Sequence, residues 1–484
     1  MFGWLRSLWA DTGTVAKTGD GRSVVRARYD NATTTTENQR NWWGADYLSA
    51  KSANSFGVRR TLRMRSRYEV SNNPYLFGVA HGNADDLIDT GPTLQVQTPD
   101  AAYNRLVELA WGEWCDEVDL VEKLRACKLA KTVDGEGFLI LKTVEDLESR
   151  VKLYPCDVEA DQVTTPAPGT LTDLWVDGLT LHPVTGRPTH YHVLRSHPGD
   201  FFFPGLNPLA VDKIQARHVI HWFQKSRPGQ VRGVPTFTPS LDLFGELRAF
   251  RKAVLNNAQI AATFTAVLES EAPAADESDE EVVPLKRIPV DRGMMMTLPA
   301  GTTLKAFDPK QPQTTYEMFF TNGLAEAIRP LAYPLNLALG TSMRFNFSSS
   351  KLDHVNYRNG LRVERDQCDR SVLRRLFAAW FEEAVLAGVV GMYKGLALPP
   401  HEWHWPGFEP LDPMVDAQAD SARLAGGQDT WRDFWGRRGR DWKDVMAQQA
   451  AERDELDRLG LTFGEPVKQT VTDTADAGEP ANAA

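Results

Sequence analysis

Apolar positions divide the chain into a first part with mixed spacing and a second part dominated by long helices. Residues 103–131 carry leucines at helical spacing, and the run FLILKTV at 138–144 is apolar, as in a buried strand. Shorter strand segments follow, separated by proline and glycine: VKLY, TLTDLWV, HYHVLR and HVIHWF. The first part is therefore predicted to be α+β.

Three long helices are predicted in the second part. Apolar residues recur through about residue 268, which predicts a helix over 237–268 of roughly 40 Å. A second helix over 315–335 is kinked or ended by Pro330 and Pro334. A third begins at residue 353, with a polar first half and an apolar stripe after residue 372. A helix that is polar all round typically bridges domains or subunits.

The remaining segments are shorter or less regular. Residues 11–55 predict a surface arm, and residues 58–75 predict an arginine-rich helix that ends at Asn73-Pro74. Such an arginine face is usually solvated or paired with acidic neighbours, and DNA contact is the alternative. Near the C-terminus two short helices are predicted, with Asp441 as an N-cap. The composition beyond residue 461 predicts a disordered tail.

The overall charge of −10 argues against a surface that grips nucleic acid throughout, and ordinary solubility explains it equally well. Four cysteines lie far apart, as is typical of reduced thiols in a cytoplasm. No apolar run reaches the length of a signal peptide or a membrane span. We expect a cytoplasmically made protein without a membrane segment.

Motifs for catalysis or metal binding are incomplete. No phosphate-binding G-x-x-x-x-G-K-[ST] motif occurs, and HEWH at 401–404 is one residue short of the zinc motif. Histidine pairs at 190/192, 218/221 and 401/404 are interpreted as structural. Ser-x-x-Lys at 348–351 follows Lys-Thr-Gly at 17–19, the reverse of the order in penicillin-binding enzymes. We expect no catalytic residue, no metal and no cofactor, hence not an enzyme.

Five segments, collinear from about residue 58 to 455, resemble those of tailed-bacteriophage portal proteins of the lambda family. They are LRMRSRYEVSNNPY, RPGQVRGVPTFTPSL, NFSSSK, WHWPGFEPLDPMVDAQA and RGRDWKDVMAQQAAE. Phe347 and Lys351 stand where the family has tyrosine and arginine.

The resemblance implies a ring, typically dodecameric, at one capsid vertex, with an axial channel through which double-stranded DNA is packaged and ejected. It implies an α+β portal fold with a wing, a long-helix stem, a small α/β clip and a helical crown region. The implied boundaries are 1–57 N-terminal arm, 58–236 wing, 237–268 first stem helix, 269–314 clip, 315–335 second stem helix, 336–352 channel loop, 353–390 long helix returning to the wing, 391–460 wing and crown helices, and 461–484 tail.

The channel loop is expected to project into the bore. A conduit must confine a polyanion without holding it, because each neutralised phosphate raises affinity steeply. A loop of serines and asparagine with little positive charge meets that requirement, and an ordinary connection between helices is the alternative. The expected DNA-channel residues are Arg344, Phe345, Asn346, Phe347, Ser348, Ser349, Ser350 and Lys351.

Two further sets of site residues are expected. The acidic run in the clip is expected to dock partners, with a solvated loop as the alternative: Asp276, Glu277, Asp279, Glu280 and Glu281. The polar half of the third helix is expected at a subunit interface, with charge pairs four residues apart: Arg362, Arg365, Asp366, Asp369 and Arg370.

The partners implied by the resemblance are further copies of the chain, the terminase large subunit, the major capsid and scaffolding proteins, the head–tail connector and passing DNA. The expected location is the capsid portal vertex of the virion, after assembly in the host cytoplasm. Two alternatives stay open: another ring-forming virion component, such as a connector or tail protein, and a cytoplasmic hydrolase.

Overall fold

The computed structural model describes most of the chain between residues 40 and 461. The described ranges are 15–17, 23–25, 40–165, 175–200, 210–263, 267–270, 302–305, 313–343, 345–395, 397–410 and 412–461. The described residues form groups of helices and groups of antiparallel strands, which confirms the predicted α+β class. None of the helices in these ranges is both long and apolar enough to cross a membrane.

The described helices are α1 Ala50–Ala53, α2 Phe56–Asn72, α3 Pro74–Ile88, α4 Ala101–Glu117, α5 Leu120–Val133, α6 Leu241–Thr263, α7 Gln313–Ala327, α8 Leu335–Leu339, α9 Phe347–Cys368, α10 Arg374–Leu386, α11 Pro413–Ala425, α12 Trp431–Gly436 and α13 Trp442–Leu459. The described strands are β1 Val15–Lys17, β2 Ser23–Val25, β3 Thr93–Val96, β4 Glu136–Thr143, β5 Leu153–Val158, β6 Trp175–Val176, β7 Leu179–Leu181, β8 Pro188–Leu194, β9 Val211–Gln215, β10 Val219–Phe223, β11 Val267–Ser270, β12 Thr302–Lys305 and β13 His401–His404.

Strand β4 lies at the centre of a three-stranded sheet in the order β10-β4-β5 and is buried on both faces. Because successive strand residues point to opposite faces, Leu139 and Leu141 join one core cluster while Phe138 and Ile140 join another. The second cluster also contains residues of β7 and β8, from the four-stranded sheet β6-β7-β8-β9. The continuous apolar run FLIL therefore predicted a strand buried on both sides correctly.

The largest core lies between α4, α5, α10 and the three-stranded sheet. Aromatic rings dominate it: Trp111 packs edge-on against Phe377 and Trp380, with ring centres 5.4 and 5.3 Å apart. The single helix predicted over 103–131 is wrong, because α4 ends at Glu117. The chain turns there, and Asp119 adopts a left-handed φ of 52° before α5 begins.

A third cluster packs α2 and α3 against the first half of α6 and against α7. The predicted stop at Asn73-Pro74 is confirmed, since α2 ends at Asn72. Asn73 then caps α3 by accepting a hydrogen bond from the Tyr75 N–H (3.2 Å), and Pro74 is tolerated in the first helical turn. The sequence analysis did not predict the helix after this proline.

The long third helix is confirmed, but it is interrupted. A π-helical turn over Asp369–Leu373 joins the polar α9 to the apolar α10. In the second predicted helix, Pro330 lies in a single 3-10 turn after α7, and Pro334 precedes the short α8. The prediction that these prolines interrupt the helix is therefore confirmed.

The two helices predicted near the C-terminus are present as α12 and α13, although α13 is 18 residues long rather than short, and α11 precedes them. Asp441 caps the last, α13, by accepting from the Lys443 N–H (2.8 Å), as predicted. HEWH forms β13, which pairs antiparallel with β3.

Candidate functional site

The predicted channel loop is shorter than the sequence indicated. Residues 340–346 connect α8 to α9, and Gly340 ends α8 with a left-handed φ of 65°. Asn346 caps α9 and accepts a hydrogen bond from the Ser348 N–H (3.2 Å). The predicted loop, 336–352, is therefore wrong at both ends, because residues 336–339 belong to α8 and residues 347–352 form the first turns of α9.

The loop and this first turn present small and apolar groups to solvent. Met343 is 94% exposed and Phe347 is 63% exposed, and Asn346, Ser348 and Ser349 are exposed as well. Phe345, Ser350 and Lys351 are half-buried. Arg344 lies outside the described residues. The first turn of α9 contains no acidic side chain, so the partial positive charge of the helix N-terminus is uncompensated there.

The base of the loop is held by polar contacts. Asn336 Nδ2 on α8 donates to His354 Nε2 on α9 (3.1 Å), which closes the loop across its two ends. Further along α9, the Tyr357 hydroxyl donates to Asp86 Oδ2 on α3 (2.9 Å). Burial raises the pKa of Asp86 against the effect of this hydrogen bond. The loop is thereby fixed relative to α3.

The helices α6 and α7 form a hairpin that is tipped by β-structure. Phe250 on α6 stacks on Tyr316 (5.6 Å) and contacts Phe319 (4.9 Å) on α7. In the segment between the helices, β11 pairs antiparallel with β12. The predicted first helix, 237–268, is longer than α6. Residues 238–240 form a 3-10 turn containing Pro239, and residues 267–268 belong to β11.

Part of this hairpin is exposed to solvent. Residues 255–259 are exposed on every side of α6, and Leu255 is 58% exposed. On α7, Met318 and Phe319 are 62% and 58% exposed. Isolated exposed apolar residues are normal, but neighbouring ones on both helices of one hairpin mark an interaction surface.

The polar half of α9 is packed within its own chain. Glu364 Oε1 accepts from Lys128 Nζ (2.7 Å) and Lys131 Nζ (2.5 Å) on α5. Burial alone would raise the pKa of Glu364, but the two ammonium groups outweigh it and lower that pKa to about 2. This contact could not be predicted from local sequence, because its partners lie more than 230 residues apart.

Two of the predicted interface residues, Arg365 and Asp369, make their polar contacts inside the subunit. Arg365 is 5% exposed and donates to the backbone oxygens of Leu87 (2.9 Å), Asp86 (3.1 Å) and Pro406 (2.8 Å). Asp369 accepts from Trp405 Nε1 (2.9 Å), and burial raises its pKa to about 7. Both side chains therefore serve the fold of the subunit.

The other three predicted interface residues are exposed, Arg362 and Asp366 on α9 and Arg370 in the π-helical turn that follows it. Arg370 and Asp366 form the predicted ion pair (2.8 Å), with both side chains more than half exposed. Arg362 is exposed and donates to Asn359 Oδ1 (3.5 Å) rather than pairing with Asp366. Exposed apolar side chains also lie on α9, with Leu352 at 66%, Val355 at 41% and Val363 at 72%.

Two arginines of α2 are buried on acidic partners, Arg59 on Asp177 and Arg63 on Glu136, which excludes the DNA-contact alternative for these two, whereas Arg60 and Arg65 are exposed. Arg63 and Arg232 both donate to Glu136, which is 0% exposed. His221 Nε2 also donates to Glu136 Oε2 (3.0 Å). Burial alone would raise the pKa of Glu136, but the charges of Arg232 and Arg63 hold it well below its usual range.

The two glycine-containing segments of this cluster touch each other. A side chain at Gly233 would collide with the carbonyl of Gly135, and one at Gly135, whose φ is 89°, would collide with Val234. The Gly233 N–H donates to Glu136 Oε2 (2.9 Å). Residues 134–137 (DGEG) and 227–235 (RPGQVRGVP) therefore form one structural unit.

The histidines of the three predicted pairs have no catalytic arrangement among the described residues. His192 bonds Thr180 Oγ1 (2.8 Å), and His401 bonds the Pro399 carbonyl (2.8 Å). Glu159, Asp161 and His197 lie close enough together for a metal ion, but their chemistry opposes it. His197 Nδ1 accepts from the Gly199 N–H (3.0 Å), so Nε2 carries the proton in the neutral ring.

The guanidinium of Arg67 also forms ion pairs with both carboxylates of this group, with N–O distances of 2.8 Å to Asp161 and 3.4 Å to Glu159. It supplies the positive charge that a cation would otherwise bring. The predicted docking residues Asp276, Glu277, Asp279, Glu280 and Glu281 lie outside the described residues, as do residues 462–484 of the predicted tail.

Comparisons with known proteins agree with the resemblance. The family profile described as "Phage portal protein, lambda family" matches residues 36–365. A "Probable portal protein" of Halomonas phage phiHAP-1 is 25% identical over 282 residues, which is 57% of this chain. The match spans about half the length of that relative, 54%.

Solved structures of neck complexes are also similar to the chain. One is "Neck of native GTA particle computed with C12 symmetry", with 14% identity and a TM-score of 0.41 over 76% of this chain and 89% of that one. Another is "Neck of empty GTA particle computed with C6 symmetry", with 13% identity and a TM-score of 0.44 over 83% of this chain and 93% of that one.

Proposed function

The chain belongs to the lambda family of phage portal proteins, and we propose that its copies form a closed ring around a channel for double-stranded DNA. The observation that supports the ring is the α6–α7 hairpin, on which Leu255, Met318 and Phe319 are each more than half exposed. We assign this hairpin as the stem (237–268 and 315–335), the segment between its helices as the clip (269–314) and residues 58–236 as most of the wing.

The hairpin supports a ring because it presents apolar groups on both helices. A closed ring uses a heterologous contact, in which one face of each subunit meets a different face of the next. Leu255 on α6 and the Met318–Phe319 pair on α7 supply such faces. Side-by-side packing of identical hairpins buries them without any change in the subunit fold.

The interface extends to the exposed side of α9. Leu352, Val355 and Val363 supply apolar area there. The exposed ion pair between Asp366 and Arg370 lies near the C-terminal end of the same helix. Exposed ion pairs contribute about 0.2–1 kcal/mol each. The charged residues therefore fix how neighbouring subunits align, and the apolar contacts supply most of the free energy of association.

A substitution in the stem tests the ring. Met318→Asp places a charge in the proposed apolar contact and should abolish rings in negative-stain images and native mass spectra. Val184→Asp is the matched control, because Val184 is 86% exposed in the turn between β7 and β8. Intact rings from the Met318 variant would refute the stem contact.

The loop at 340–346 and the start of α9 are proposed to face the channel. From residue 340 to 351 the only charged side chains are Arg344 and Lys351. Exposed hydroxyl groups offer weak hydrogen bonds, and the helix N-terminus adds a small positive field. Weak attraction suits DNA that moves in both directions, because strong phosphate contacts would slow it.

Packaging assays test the loop. Replacing Ser348, Ser349 and Ser350 together with phenylalanine should leave ring assembly intact and reduce the amount of packaged DNA. The triple alanine variant is the control and should package normally, since it removes hydroxyl groups without adding bulk. Normal packaging by the phenylalanine variant would exclude a channel position for this turn.

The remaining assignments complete the proposal. The ring is a dodecamer, and its acidic clip run, 276–281, docks the terminase large subunit and later the head–tail connector. Its wing contacts the major capsid and scaffolding proteins, and the finished ring occupies the portal vertex of the virion after assembly in the host cytoplasm. The protein works by shape rather than by catalysis. Normal terminase-driven packaging after deletion of 276–281 would refute the docking role.

A further inference from the structure

Residues 40–48, which we call the aromatic arm, leave a group of large apolar side chains in solvent. Every residue of the arm is exposed. Trp42 is 59% exposed, Trp43 87%, Tyr47 105% and Leu48 48%. The arm lies inside the part of the chain that the family profile matches, 36–365, so it is part of the family's shared region.

The arm is nevertheless a shaped and anchored element. The Ala45 N–H donates to the Trp42 carbonyl (3.0 Å) and closes a turn. At the other end, Arg227 Nη2 donates to the Leu48 carbonyl (3.1 Å), which ties the arm to the segment that carries Arg232. A fixed starting point together with uncovered aromatic rings indicates an element that binds outside its own subunit.

The exposed apolar area of the aromatic arm is large enough for a specific protein–protein contact. At about 200 Å² for each large side chain, the four exposed groups present about 600 Å². With the surface they would cover, the contact reaches about 1,200 Å², above the about 1,000 Å² of a specific interface. Apolar patches of several hundred Å² on monomeric proteins are often functional.

The same chain carries a surface that fits the arm. The outward face of α2 presents Phe56, Arg60, Met64 and Tyr68 at spacings of four residues. Phe56 is 49% exposed, Met64 61% and Tyr68 54%, and Arg60 is exposed among them. Aromatic rings pack on such apolar groups and on guanidinium planes, and Asp46 of the arm complements the arginine charge.

We propose that the aromatic arm of each subunit docks on the outward face of α2 of a neighbouring copy. A ring of identical copies supplies one arm and one accepting face at every junction, so the contact repeats without a second protein. This inference rests on the proposed ring and adds to it a second contact, remote in sequence from the stem.

Photo-crosslinking tests the inference. A benzoylphenylalanine in place of Trp43, in rings assembled from equal amounts of nitrogen-15-labelled and unlabelled chains, should give mixed heavy–light adducts. The crosslinked peptide should come from residues 56–72. The same group at Val184 is the control for exposure alone and should give no adduct between copies.

A second measurement does not depend on where the photo-crosslinking group is placed. Trp43→Ser should raise the subunit concentration at half-assembly at least tenfold, whereas Val184→Ser should leave it unchanged. Rings that form normally but give only same-chain adducts, adducts with another protein or no adduct at Trp43 would overturn the arm contact and leave the proposed function standing. Failure of the wild-type chain to form rings would overturn the proposed function first.

Discussion

The buried Glu136 cluster allows a substitution whose effect follows directly from the structure. Glu136→Gln keeps the shape of the side chain but removes its charge. Arg63 and Arg232, whose side chains are 4% and 1% exposed, then remain buried without this counter-ion. Removing one member of a buried ion pair costs about 3–5 kcal/mol, because the remaining charge is uncompensated. We expect a loss of about 4 kcal/mol in the free energy of unfolding.

Urea unfolding of wild type and variant at one protein concentration measures this loss. Glu402→Gln is the matched control: Glu402 also binds an arginine, Arg432 (2.7 Å), but both side chains are about half exposed. Its free energy of unfolding should change by no more than about 0.5 kcal/mol. The loss of an ordinary hydrogen bond costs about 1 kcal/mol. If Glu136→Gln lowers the free energy of unfolding by less than that, Glu136 does not neutralise the buried charges of Arg63 and Arg232.

Three other contacts carry predictions of their own. Gly233→Ala collides with the Gly135 carbonyl and should lower the free energy of unfolding by about 3 kcal/mol or more, whereas Gly57→Ala, in open space on α2, should raise it by up to about 1 kcal/mol. Equal urea midpoints would contradict this. Burial raises the pKa of Asp369 to about 7, so the folded chain holds an extra proton between about pH 4 and 7 and loses stability as the pH rises through that window. Asp369→Asn should remove that loss; an unchanged pH profile would refute it. Glu364→Ala should destabilise by about 3 kcal/mol or more in a urea titration, because two buried ammonium groups lose their partner.

Local signals predicted the elements well. The FLIL run indicated a strand buried on both faces, and Asn73-Pro74 marked a helix boundary, because backbone geometry at these positions depends on near neighbours. The start of α9 was misplaced for a local reason as well. Asn346 is a good N-cap, but three serines after it favour a loop in most contexts.

Contacts between side chains far apart in the sequence could not be predicted. The arginines of α2 were expected to be either solvated or paired, and nothing local indicated that Glu136 and Arg232 would meet them. Arg365 and Asp369 had the spacing of a surface ion pair, yet their partners are Leu87 and Trp405. A helical spacing of four fixes which residues share a face, but not what that face contacts.

Cryo-electron microscopy of the purified 484-residue chain gives the sharpest test of the ring. We expect a closed ring with an axial bore, the α6–α7 hairpins side by side around it and residues 340–351 facing the bore. A compact single subunit, or a ring with residues 340–351 on its outer rim, would contradict this expectation.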